Sequence, residues 1–260
     1  MDKAVKTTAR VEVQPGQLTA EGNGAEVVRL FPLRSGRMNF DPFVLFDHFF
    51  LQAGTGFPTH PHRGFEAITY LFKGGMRHKD NLGNDSTMVA GGAQRFTAGA
   101  GIEHSEMPAG ESSGIQLWIN LPKALKQIPP AYQAVAAEQI PEQTFAGGTR
   151  RIIVGEGSPL TIQTPIRYED ITLHPAGVYQ SPLAADEQGL IYVVEGEVQL
   201  KGYSIKQQQA AYFDSLDGLT LSSDVGARLM LCVGRPHGEP IRQYGTYVDR
   251  AHISLNGNSG

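Results

Sequence analysis

Residues 59–75 read Thr59-His-Pro-His-Arg-Gly-Phe-Glu-Ala-Ile-Thr-Tyr-Leu-Phe-Lys-Gly-Gly75, and this run decides the fold. A segment carrying two histidines passes into Ala67-Ile-Thr-Tyr-Leu-Phe72, rich in β-branched and aromatic side chains, and ends on a Gly-Gly turn, which is a strand signal. A second copy, Leu190-Ile-Tyr-Val-Val-Glu-Gly196, lies 122 positions after Ile68-Thr-Tyr-Leu-Phe-Lys-Gly74. That offset is close to half of the 260 residues, as expected for two copies of one β domain.

Working outward, Val27–Phe31, Phe43–Phe46, Ile115–Ile119, Arg151–Val154, Glu197–Leu200 and Ala227–Val233 have the same strand composition, bounded by Gly, Pro, Asn or charged residues. Short strands at regular spacing, with 31 glycines and 16 prolines, predict an all-β chain of sandwich or barrel type rather than βαβ units. Helix is expected only around Lys123–Gln127 and Tyr132–Glu138, on either side of Pro129-Pro130. The proline pair continues neither helix nor ladder, so it is the expected connection between a domain at 1–130 and a domain at 131–260.

Composition excludes several functions. A net charge of −4 leaves no basic footprint for direct nucleic-acid binding. One cysteine excludes an internal disulfide framework, a Cys-based zinc ribbon and an iron–sulfur site. Cys232, in an apolar run, is expected to be buried and inert. No stretch approaches the ~18 apolar residues of a membrane span, and the N-terminus has no apolar targeting core. A cytoplasmic protein without membrane partners is the expectation.

The chemistry lies in two short motifs. His60-Pro-His62 and His104-Ser-Glu106 are each i, i+2 pairs, and on extended chain such pairs project to one face. If the two segments face each other inside a barrel, three imidazoles and a carboxylate converge. Such N/O ligands suit Fe, Mn, Co, Ni, Cu or Zn, and four of them leave two positions of an octahedral metal open. Glu66 competes for the carboxylate position because it follows His62 closely. His48, His78, His174, His237 and His252 are read as unpaired, in surface or hydrogen-bonded structural roles.

His60-Pro-His-Arg-Gly-Phe-Glu66, a strand, a Gly-Gly turn and Gly101-Ile-Glu-His-Ser-Glu-Met-Pro108 together resemble the pirin family of the cupin superfamily. The likeness continues through Asp41-Pro-Phe-Val-Leu-Phe-Asp-His-Phe49, His78-Lys-Asp-Asn81, Leu117-Trp-Ile-Asn-Leu-Pro122, Pro129-Pro-Ala-Tyr-Gln133 and Gly238-Glu-Pro-Ile241 with Tyr244-Gly245. It spans nearly the whole chain. The resemblance implies a bicupin, two antiparallel β-barrels side by side, with one mononuclear metal in the N-terminal barrel. It assigns the ligands to His60, His62, His104 and Glu106 and leaves Glu66 outside the set.

The family commonly carries iron, and several members cleave flavonols such as quercetin with O2. Others are described as transcriptional or metabolic regulators that act through protein partners. The resemblance therefore implies Fe(II), or another of the divalent metals above, and a small aromatic, flavonol-like substrate. Glu106 would be the general base, and carbon monoxide would leave on ring opening. The rival expectation is an iron- or redox-sensing regulator that binds a protein partner without physiological catalysis. Phe43, Phe46, Phe57 and Met107 are candidates for the pocket wall or, equally, for barrel core.

Applied to the four ligands, the 122-residue offset lands on Pro182, Ala184, Gly226 and Arg228, none of them able to bind a metal. The C-terminal copy is expected to keep the fold and lack the site. Two departures from the family pattern, Gly245-Thr-Tyr-Val248 and His48 within Asp47-His-Phe49, leave the pocket rim and hence the substrate open.

Overall fold

Each stretch read as strand folds as strand in the computed structural model, which describes residues 9–249; His252 lies outside them. The first half contains β1 (Arg10–Pro15), β2 (Gln17–Glu21), β3 (Ala25–Phe31), β4 (Phe43–Leu51), β5 (Phe57–His62) and β6 (Phe65–Lys73). They are followed by β7 (Gly75–Asp80), β8 (Asp85–Val89), β9 (Ala93–Thr97), β10 (Ile102–Pro108), β11 (Ser112–Asn120) and β12 (Ala131–Val135). Two antiparallel sheets close the first barrel, in the orders β12-β9-β6-β11-β4-β3-β2 and β5-β10-β7-β8.

The second half contributes β13 (Glu142–Phe145), β14 (Gly148–Val154), β15 (Ile166–Leu173), β16 (Gly177–Ser181) and β17 (Gln188–Leu200). Then come β18 (Tyr203–Lys206), β19 (Gln209–Asp214), β20 (Leu219–Ser223), β21 (Ala227–Gly234) and the hairpin β22 (Arg242–Tyr244) and β23 (Tyr247–Asp249). The main path is β1-β19-β17-β21-β15-β14-β13, and the long β17 also pairs with β18 and β20.

The two sequence copies occupy equivalent places. β6 runs between β9 and β11, and β17 between β19 and β21. Each copy ends on a left-handed glycine, Gly74 at φ 75° and Gly196 at φ 78°. A Cβ on Gly74 would lie 2.0 Å from the Glu111 carbonyl oxygen, and one on Gly196 would lie 2.3 Å from that of Gly226. Only glycine satisfies both the backbone angle and the close approach.

Both large sheets are covered on both faces, and this explains why β6 and β17 read as continuous apolar runs rather than alternating ones. Ile68 and Tyr70 of β6 meet Leu190, Tyr192 and Val194 of β17 in one core between the barrels. Ala67 and Leu71 turn into the first barrel, and Ile191 and Val193 into the second. Each fully buried Phe or Ile in these layers contributes about 1.5–3 kcal/mol. Cys232 is buried within the inter-barrel core.

Two strands cross the 130/131 position. β12 extends the first barrel's sheet beside β9, and β1 pairs with β19 of the second. Helix is scarcer than expected among the described residues. Lys123–Leu125 and Ala137–Gln139 form single 3-10 turns. Tyr132–Val135, expected as helix, is strand because the free edge of β9 takes up its backbone hydrogen bonds. No helix among the described residues is long and apolar enough to cross a membrane.

Candidate metal centre

β5 and β10 are antiparallel neighbours, with His60 opposite His104 and His62 opposite Ile102. The i, i+2 spacing and this register bring three imidazoles together on the barrel's inner face, with ring centroids 4.5 Å (His60–His62), 4.7 Å (His60–His104) and 4.8 Å (His62–His104) apart. One ring nitrogen from each lies within 4.8 Å of the others. Each Nδ1 is engaged elsewhere. His60 Nδ1 is 2.7 Å from the Pro58 carbonyl oxygen, His62 Nδ1 is 3.3 Å from that of Thr246, and His104 Nδ1 is 3.4 Å from His78 Nδ1. The Nε2 atoms are thereby left to the centre, and His104 Nε2 is buried without a hydrogen-bond partner.

Burial and the neighbouring imidazoles hold His62 and His104 neutral. Desolvation, then the charges of His104 and His60, pushes His62 down to about 2. Burial, then His60 and His78, takes His104 well below its ordinary value. A neutral imidazole offers the lone pair that a metal needs. The Thr246 carbonyl arrives with the β22–β23 hairpin. Val248 N–H donates to the Arg63 carbonyl at 2.9 Å, and Gly64 permits the approach, since a Cβ there would lie 1.9 Å from Val248 O.

Glu106 is held from the opposite sheet. Its Oε1 accepts from Gln94 Nε2 at 2.6 Å and lies 2.9 Å from Thr69 Oγ1, while Oε2 accepts from Gln116 Nε2 at 3.2 Å. Tyr132 O–H donates to Gln94 Oε1 at 2.9 Å and so points the Gln94 amide group at the carboxylate. A Glu106 carboxylate oxygen lies within 4.8 Å of one ring nitrogen each of His104 and His78. The carboxylate stands to one side of the imidazole trio, tethered to its three partners.

Glu66 takes no part. It has the parity of Ile68 and Tyr70 on β6 and so faces the second half, where it accepts from Thr97 Oγ1 and from the Gln163 backbone N–H, both at 2.7 Å. Burial raises its pKa, against the pull of those donors.

His78 is expected to be unpaired, yet His78-Lys-Asp80 is itself an i, i+2 pair on β7. His78 is fully buried, stacks on Tyr132 with centroids 4.1 Å apart, and places Nε2 2.9 Å from Asp80 Oδ2. Burial pushes the Asp80 carboxyl up, but hydrogen bonds from His78, the Asn84 side chain and the Asn84 and Leu82 N–H groups outweigh it and hold it below its ordinary value. The spacing that picked out the other two pairs would have found this one. Thr69, Gln94 and Gln116 carry no comparable signal. His48 is buried, with Nδ1 3.0 Å from Tyr192 O–H, His174 is exposed and His237 is half-buried.

The centre opens into a cavity of about 620 Å³ lined by Leu45, Phe49, Phe57, Met76 and Trp118, with Arg29 and Asp47 on one wall. Of the four expected wall residues only Phe57 lines it. A β-bulge at Val44, where Trp118 pairs with Leu45 and Ile119 with Phe43, puts Phe43 and Phe46 on the face toward the second barrel. Leu45, Asp47 and Phe49 take the cavity face instead. Met107 is not among the lining residues, because it alternates with Glu106 on β10. Gly245 and Thr246, in the segment that departs from the family pattern, do form the rim.

Among the described residues of the second barrel, no group of three His, Cys, Asp or Glu side chains converges. In its strand pair corresponding to β5–β10, Tyr179 pairs with Leu221. The constant offset pointed to Pro182, Ala184, Gly226 and Arg228, several residues away, because the intervening loops differ in length. Leu219, Leu221, Leu229 and Leu231 fill the interior.

The Pirin family matches residues 24–119, and the Pirin C-terminal cupin domain matches residues 168–253. A pirin-like protein of Caulobacter vibrioides is 34% identical over 92% of this chain and 91% of its own length. The crystal structure of a quercetin 2,3-dioxygenase from Acinetobacter baumannii superposes with a TM-score of 0.83 at 28% identity, covering 93% of this chain and 90% of that one. A bacterial pirin of Escherichia coli in complex with nickel(II) shares the fold at a TM-score of 0.75 and 22% identity, covering 87% of this chain and 100% of its own.

Proposed function

The chain belongs to the pirin family of bicupins, and from that premise we propose that it is a mononuclear metal-dependent dioxygenase of the quercetin 2,3-dioxygenase type. Fe(II) would be held by His60, His62, His104 and Glu106 in the N-terminal unit, residues 1–130, and the C-terminal unit, 131–260, would be metal-free. The observation that carries this reading is the trio of imidazoles, His62 and His104 buried and His60 partly so, with every Nδ1 engaged and the Nε2 atoms left to one centre, beside an aromatic-lined cavity. The buried, unpartnered His104 Nε2 fits a metal. A bound Fe(II) supplies Lewis acidity toward the substrate hydroxyl and a path for electrons to O2.

The chain's own part is positioning and proton transfer. Leu45, Phe49, Phe57 and Trp118 give a flat polyphenol an apolar slot from which water is excluded. Glu106 takes the flavonol 3-hydroxyl proton, and Thr69, Gln94 and Gln116 hold its carboxylate for the transfer. Overall, one flavonol and one O2 give one ring-opened ester and one carbon monoxide. The test is oxygen uptake and carbon monoxide release with quercetin on metal-quantified protein, beside Glu106→Ala. Turnover lost in the variant supports the reading. Metal retained without turnover in the wild type favours the partner-binding regulator instead.

A further inference from the structure

We infer that Asp80 and His78 are positioning residues that set the tautomer of His104 and so aim its Nε2 lone pair at the metal. The inference rests on the proposed ligand role of His104. Its basis is the chain Asp80–His78–His104, two contacts in which the partners at either end set the direction of each proton. Asp80 Oδ1 accepts from the Leu82 N–H at 2.9 Å, the Asn84 N–H at 3.0 Å and Asn84 Nδ2 at 3.1 Å, and Oδ2 accepts from Asn84 Nδ2 at 2.9 Å. Every other partner of the carboxylate is a donor, so Asp80 is an acceptor toward His78, and His78 Nε2, 2.9 Å away, carries the proton.

A neutral His78 with its proton on Nε2 has a lone pair on Nδ1. His104 Nδ1 faces that lone pair at 3.4 Å, and one of the two nitrogens must donate. The proton is therefore on His104 Nδ1, and Nε2 is the bare nitrogen turned toward His60 and His62. The opposite arrangement, with His78 donating from Nδ1, would leave an N–H on His104 Nε2 with no acceptor. His60 and His62 have their tautomers set by the Pro58 and Thr246 carbonyls, which can only accept. For His104 a carboxylate does the same work through an intervening ring.

Asp80→Asn reverses the chain at nearly constant side-chain size, with loss of the Asn84 Nδ2 contact to Oδ2. The three donors at Oδ1 retain the amide oxygen, so the amide nitrogen takes the place of Oδ2 and donates to His78 Nε2. The proton then sits on His78 Nδ1 and is donated to His104 Nδ1, and His104 Nε2 bears a hydrogen where the metal needs a lone pair. The test uses full-length, metal-free protein with 15N-labelled histidine, read by side-chain NMR, followed by anaerobic Co(II) and Fe(II) titration. The wild type is expected to show His104 protonated at Nδ1. Asp80→Asn is expected to show it protonated at Nε2, with ten- to hundredfold weaker metal binding.

A wild-type His104 protonated at Nε2, or an Asp80→Asn protein with the wild-type tautomer and affinity, overturns the inference. The wild-type spectrum decides the point even if the variant does not fold. A wild type with the expected tautomer that binds neither metal refutes the proposed function and leaves the proton chain standing, so the two failures are distinguishable.

Discussion

Glu106 and His104 are two residues apart on β10, yet different strands fix them: β6, β9 and β11 hold the carboxylate, and β7 holds the imidazole. Because Gln94 makes the shortest contact to Glu106, Gln94→Ala is expected to loosen the carboxylate and weaken metal binding roughly tenfold to a hundredfold. Anaerobic Co(II) titration measures this, and wild-type affinity would contradict it. The metal-ligand candidates were legible in the sequence because alternation on a strand is a rigid rule: His-x-His and His-x-Glu can only face one way together. Their partners were not legible. Thr69, Gln94 and Gln116 are single polar residues on apolar strands, and only barrel closure brings them to one carboxylate.

At the scale of the strand, one inserted residue decides which side chains see the cavity. The bulge at Val44 places Phe43 and Phe46 in the inter-barrel core and leaves the cavity to Leu45, Asp47 and Phe49. Composition marks β4 as a strand, but a bulge depends on the partner's register, which no local pattern contains. The glycine turns are the opposite case, visible as a repeat and confirmed as matching left-handed bends. Gly196→Ala must accept both the backbone angle and a contact 2.3 Å from the Gly226 carbonyl. Gly83→Ala, at φ 94° with open space around it, accepts only the angle, at roughly 1–2 kcal/mol. Urea unfolding is expected to show a distinctly larger loss for Gly196→Ala, and equal losses would contradict the packing account.

Across the whole molecule, the barrels are joined through the outer faces of their large sheets, and two strands, β1 and β12, are exchanged between the halves. β1 and β12 escaped the sequence reading because edge pairing is chosen by whichever sheet leaves an edge open. The joint also contains a titratable group. Burial first, and the Arg228 charge second, pushes His48 down to about 4. An unfolded imidazole titrates near 6.5, so the unfolded chain takes up the proton first as pH falls. The stability contributed by the neutral ring is complete above pH 6.5 and is lost between about 6.5 and 4, a total of roughly 3 kcal/mol. His48→Gln is expected to flatten that part of the pH–stability curve, and an unchanged slope would contradict the assignment.

The metal centre organises everything else proposed for this chain, and Fe(II) titration under anaerobic conditions, wild type beside His60→Ala, tests it most directly. The account predicts one equivalent bound per wild-type chain and a large loss of affinity in the variant. A wild-type chain that binds no iron in excess Fe(II), or a variant that binds it equally well, would contradict it.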